Sequence, residues 1–68
     1  MEDKVNYYQD REEDSTVFKY DWSANAGFVW NYKKNGWVSY GSVIDQIYGD
    51  NLRVISEKMA MHEIERNK

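Results

Sequence analysis

Apolar and polar residues alternate in two stretches of this chain. Over Ser15–Trp22, Thr16, Phe18, Tyr20 and Trp22 fall on one side and Val17, Lys19 and Asp21 on the other, the period-two pattern of a half-buried strand. Phe28–Tyr40, F-V-W-N-Y-K-K-N-G-W-V-S-Y, alternates on both sides of Asn35-Gly36. Asn-Gly tolerates the positive φ that a type I′ turn needs at both central residues, and the β-branched and aromatic flanks suit a pleated surface. A two-residue loop there pairs Lys34 with Trp37, Tyr32 with Ser39 and Asn31 with Tyr40. It puts Phe28, Trp30, Tyr32 and Trp37 on one face and Val29, Asn31, Lys33, Val38 and Tyr40 on the other. The small residues Ser23–Gly27 read as the loop joining the two stretches. The expectation is a three-stranded antiparallel meander with Phe18, Tyr20, Trp22, Phe28, Trp30, Tyr32 and Trp37 on a single aromatic face.

Val5–Gln9 has two readings: a fourth strand, with Asp10–Asp14 as the turn after it, or a frayed terminus with a solvated charge run. The domain proper is taken as residues 15–68 and residues 1–14 as an acidic arm. After Gly41 the periodicity changes. Ser42 and Asp45 form a capping-box-like start, Val43, Ile44, Ile47 and Tyr48 share a helical face, and Gly49 stands where a helix-ending glycine is expected. Asp50 or Asn51 then reads as the cap of a second helix running to about Arg66. Its apolar residues split into two stripes. Leu52, Ile55 and Met59 form one, with His62 at its edge; Val54, Ala60, Met61 and Ile64 form the other. The first can close over the sheet. The second has no obvious cover in a chain of 68 residues, which makes Val54, Met61 and Ile64 candidates for a homodimer interface. The fold class expected is α+β, with one short helix and one longer C-terminal helix.

A chain this short makes one domain near the lower size limit for independent folding. With no Cys and one His, neither disulfides nor a structural zinc can supplement its core. Absence of Cys fits a reducing compartment, and no signal peptide or membrane-length apolar run is present, so a cytoplasmic location is expected. The formal net charge of −3 is uneven: residues 1–21 carry seven acids and three bases, the rest five acids and six bases. This balance argues against binding a phosphate backbone and suits a partner with a basic surface.

The residues offer little chemistry. His62 is the sole His, no Ser lies in a G-x-S-x-G setting, and the glycines are scattered singly, so the chain reads as a non-enzyme without cofactor or metal. Asp10–Asp14 lacks the calcium-loop pattern. Two binding classes remain. The first is a protein-binding module rich in Tyr and Trp, residues that interfaces favour. The second is a single-strand nucleic-acid binder stacking bases on the aromatic sheet beside Lys19, Lys33 and Lys34; the acidic balance and the helices' need for an apolar face weigh toward core use instead.

At Ser42–Asp50, S-V-I-D-Q-I-Y-G-D, the chain resembles the small dimeric phage inhibitors of uracil-DNA glycosylase, which show a hairpin, then Ser-x-apolar-acid-x-apolar-Tyr-Gly-Asn, then a C-terminal helix. The resemblance implies a homodimeric DNA mimic acting in the host cytoplasm, whose apolar groove grips the enzyme's wedging leucine while carboxylates stand in for phosphates. Carried over by position, Ile44 takes the groove-lining place, Asp45 the acid and Tyr48 the motif tyrosine, with Ile47 and Tyr40 beside them. Asp10, Glu12, Glu13 and Asp14 supply the mimicking charge. The chain departs from that pattern in having Ile44 for an aromatic, a shorter segment before Ser42, and Lys33-Lys34-Asn35-Gly36 where the family's hairpin turn is acidic. A regulatory or phage binder aimed at another target, such as a polymerase or a defence complex, is the alternative within the same class.

Overall fold

A computed structural model describes residues 4–68; Glu2 and Asp3 of the acidic arm lie outside the described residues. The fold is α+β: strands β1 (Val5–Asp10), β2 (Val17–Asp21), β3 (Ala26–Asn31) and β4 (Gly36–Ser39), helix α1 (Val43–Tyr48), strand β5 (Leu52–Ile55) and helix α2 (Glu57–Arg66). All strand pairs are antiparallel, and the sheet order is β4-β3-β2-β1-β5. The sheet therefore has five strands, two more than the meander. Val5–Gln9 is indeed a strand, and β5 replaces the first turn of the expected long helix.

β5 forms because Leu52-Arg53-Val54-Ile55 meets the free edge of β1, with Tyr7 opposite Ile55 and Gln9 opposite Arg53. Gln9 is buried, and its amide holds this corner together. It donates to the Asp14 carbonyl at 2.8 Å and accepts from the Arg53 guanidinium at 3.1 and 2.8 Å. The last helix starts instead at Ser56, whose hydroxyl accepts from the Met59 N–H at 3.1 Å, a regular N-cap.

The single aromatic face does not exist. A four-residue loop closes β2 on β3 with Asp21 opposite Ala26, which sets Phe18 opposite Val29 and Lys19 opposite Phe28. Residues directly opposite each other share a face, so Phe18 and Tyr20 point away from Phe28 and Trp30. Each face then carries its own core under its own helix. Tyr8, Phe18, Tyr20, Val43 and Leu52 are buried on the α1 side, with Ile44 and Ile47 packed against them. Val17, Ala60 and Ile64 are buried on the α2 side, against Tyr7, Trp30, Tyr32, Trp37 and Ile55.

The β3–β4 register also differs from the two-residue turn. Trp30 lies opposite Trp37 and Asn31 opposite Gly36, leaving Tyr32–Asn35 as the loop. Asn35 alone adopts positive φ, at 55°, while the Asn31 side chain accepts from the Lys34 N–H at 2.9 Å. This register brings Trp30 and Trp37 edge to face at 5.3 Å, a cross-strand pair that the tighter turn would have separated. The slip is an even number of residues, so the face assignments within this hairpin hold.

α1 sits close on the sheet at Gly27. A Cβ there would lie 2.7 Å from the Tyr40 carbonyl oxygen and 2.9 Å from the Val43 Cβ. Gly27→Ala is expected to cost about 1–3 kcal/mol by overpacking, read as a lower urea midpoint. Ile64 is only 2% exposed, so Ile64→Ala should cost about 2–5 kcal/mol while Met61→Ala at low protein concentration leaves the midpoint unchanged. A third expectation concerns acid. The Glu63 carboxyl is held below its ordinary value of 4.5, chiefly by hydrogen bonds from Arg66 at 2.8 and 3.1 Å. A depressed carboxylate stabilises the fold above its unfolded value, and that contribution is lost as pH falls through the folded value. Thermal melts from about pH 7 to about pH 3 should show Glu63→Gln flattening the decline that sets in below about pH 4.5.

Candidate interaction surface

α1 crosses its face of the sheet from the end of β4 to the start of β5, so its C-terminus arrives beside the β1–β2 loop. That loop holds the acidic run. Asp10, Arg11, Glu12 and Glu13 line one depression together with Gln46 of α1 and Asn51 before β5. The Arg11 N–H donates to the Asn51 carbonyl at 3.3 Å, and its guanidinium pairs with Asp50 at 3.1 Å. Sequence reasoning named the acids and the helix separately; the topology joins them. Gln46, Asp50, Asn51 and Arg11 belong to this surface and were not anticipated.

The residues expected to bind a partner divide by depth. Tyr40 is half-buried, stacks on Phe18 at 5.9 Å, and accepts from the Gln46 amide at 3.1 Å. It supports α1 from beneath. Ile44 and Ile47 are also half-buried and turn inward onto the core. Asp45 is exposed, and Tyr48 is 78% exposed. Ser42 occupies the N-cap of α1 but makes no side-chain capping bond. Gly49 ends the helix at negative φ, and the left-handed residue is Asp50 at 60°.

The charges are partly committed. Asp10 accepts from the N–H groups of Glu12 and Glu13 at 2.8 and 3.0 Å, which shapes the loop. Asp14 pairs with Arg53 at 3.6 Å. Glu12, Glu13 and Asp45 make no ion pair with a described residue. The last turn of α1 has no basic residue, and its Asp45, Gln46 and Ile47 carbonyls accept from the N–H groups of Gly49, Asn51 and Asp50. The Lys33-Lys34 loop lies at the same end of the sheet but on the β3–β4 side.

Val54, Met61 and Ile64 do not form one patch. Ile64 is core, Met61 lies on the outer face of α2, and Val54 projects from β5 on the α1 side of the sheet. The two-stripe pattern arose from treating strand and helix as one helix.

The aromatic strip of β3 and β4 is largely self-covered. Trp37 packs against Trp30 and, at 6.1 Å, against Tyr7. The Lys19 ammonium sits over Phe28 at 5.3 Å and over Trp37 at 4.7 Å, so an internal cation occupies the ring faces that stacked bases would use. The Trp30 Nε1–H is buried without an acceptor among the described residues. No group of three or more His, Asp or Glu placed to hold a metal occurs among the described residues, and none of their helices is long and apolar enough to cross a membrane. Comparison with known proteins adds no relative: no family model, no curated protein and no solved structure matches this chain.

Proposed function

We propose that this protein is a non-catalytic inhibitor that docks on a basic, DNA-acting enzyme through the α1–acidic loop surface. Uracil-DNA glycosylase is the target that the Ser42–Asp50 motif points to. One observation carries the reading. Asp10, Glu12 and Glu13 line one depression with Gln46 of α1, the short helix that also carries the exposed Asp45 and Tyr48. Unpaired carboxylates would draw in a cleft built for phosphates, and Tyr48 would supply the contact area and low entropy cost typical of an interface anchor.

The half-buried placement of Ile44 and Ile47, turned onto the core, changes how such binding would work. Neither side chain is free to line a groove while the core stays intact. Apolar grip therefore falls to Tyr48, with Ile44 and Ile47 fixing its helix. The acids most available to the partner are Glu12, Glu13 and Asp45, since Asp10 and Asp14 are engaged within the loop and with Arg53.

A uracil-excision assay tests the proposal. Added protein should inhibit stoichiometrically at low salt, with the effect weakening as ionic strength rises. Tyr48→Ala should weaken inhibition at least about tenfold, as expected for an interface anchor worth more than about 1.4 kcal/mol, with an unchanged melting curve. Excision unaffected by excess protein would remove the glycosylase assignment, and inhibition that survives in folded Tyr48→Ala carrying Glu12→Gln and Glu13→Gln would remove the surface.

A further inference from the structure

The outer face of α2 gathers donors of a kind that neither the α1 surface nor the two cores employ. The run M-A-M-H at 59–62 places two thioethers and the chain's single imidazole within about one helical turn. Ala60 is buried, while Met59, Met61 and His62 are exposed. These three side chains line one predominantly apolar groove. No described residue hydrogen-bonds to the His62 ring, so its unprotonated nitrogen keeps its lone pair available.

We propose that Met59 and His62 bind a soft monovalent cation of the copper(I) class, with Met61 as a third donor. Residues three apart on a helix are neighbours, with Cβ atoms about 5–6 Å from each other. One ion can bridge such a pair, because metal bonds to sulfur and to imidazole nitrogen run about 2.0–2.3 Å. Met61 flanks His62 on its other side. The flexible, unbranched side chain of methionine lets that sulfur swing toward the ring edge.

Donor chemistry and charge together select the ion. Thioether sulfur is soft and uncharged and favours copper(I), which imidazole also suits. Zinc is held by thiolate, imidazole and carboxylate instead. The chain has no Cys, and no group of three or more His, Asp or Glu among the described residues is placed to hold a metal. Lys58 and Glu65 line the same groove with opposite charges, and Glu65 is also paired with Lys68 at 3.0 Å. The groove therefore offers a divalent ion no net negative charge, whereas a monovalent ion on neutral donors needs none. The ion enters as copper(I), with no change of oxidation state. α2 and α1 lie on opposite sides of the sheet, so this inference stands independently of the glycosylase reading.

Silver(I), a redox-inert analogue of copper(I), tests the site by NMR on the full chain in nitrate buffer free of chloride and thiols. One equivalent should saturate it and shift the His62 ring signals together with the ε-methyl signals of Met59 and Met61. Met1, the remaining methionine, is the internal reference, and its methyl should stay in place. Zinc nitrate should move neither the Met59 nor the Met61 methyl. Met59→Leu and His62→Gln should each weaken silver binding at least about tenfold, since even the loss of a supporting partner costs a metal site that much. Both positions are exposed, and matching thermal melts verify that the variants fold. Signals that stay unmoved in excess silver overturn the inference. So does a ring shift without methyl shifts, which would mean imidazole binding alone, or a Met1 methyl that moves in step with the other two. Silver binding undiminished in folded Met59→Leu, or methyls that respond to zinc, overturns it as well.

Discussion

The rest of the structure depends on the pairing of β2 with β3. With Asp21 opposite Ala26, the aromatic residues of the two strands are dealt to opposite faces. A sheet with one apolar face needs one cover; this one has two and needs both helices. α1 closes on Phe18, Tyr20 and Tyr8, while α2 closes on Val17. Moving the register by one residue would reverse every side chain of the strands beyond it and leave each helix above a mismatched surface. A domain of this size has little stability to spare, so the β2–β3 register settles the architecture.

Polar side chains rather than glycines hold that register. Asp10, Asp21 and Asn31 each end a strand and each accept a hydrogen bond from a backbone N–H two or three residues on. Asn25 and Asn35 take the left-handed position in the two four-residue loops, at 52° and 55°. The segments D-W-S-A-N-A and N-Y-K-K-N-G are thus the same turn written twice, ten residues apart. Asx side chains close such turns locally, which lets two hairpins form without a type I′ turn and without any positive-φ glycine among the described residues.

The same economy shapes the surface. The acidic loop spends Asp10 on its own backbone and Asp14 on Arg53, and Arg11 is spent on Asp50. What remains outward is Glu12, Glu13 and Asp45 beside Tyr48, on the α1 side. On the α2 side the outward groups are Lys58, Met61, His62 and Glu65. The sheet thus separates a surface whose outward charges are acidic from one of mixed charge.

Local pattern was enough to place β2, β3, β4 and α1, because alternation and a short helical stripe are properties of neighbouring residues. It was enough as well for the face assignments within the β3–β4 hairpin, and for a solvated run over residues 11–14, although Asp10 ends β1 and the segment before it is a paired strand and not a frayed terminus. It misread Leu52–Ile55 as helix, since Leu, Val and Ile at that spacing serve either period, and only the open edge of β1 chose the strand. Once that edge was filled, Ile64 became core and Val54 and Met61 parted to opposite sides of the sheet. Whether Phe18 and Trp30 share a face depends on how a loop closes, and no window of sequence contains that information. The meeting of Gln46 and Asn51 with Glu12 and Glu13 is likewise tertiary, set by a helix crossing the sheet to deliver its end beside a loop some thirty-five residues earlier.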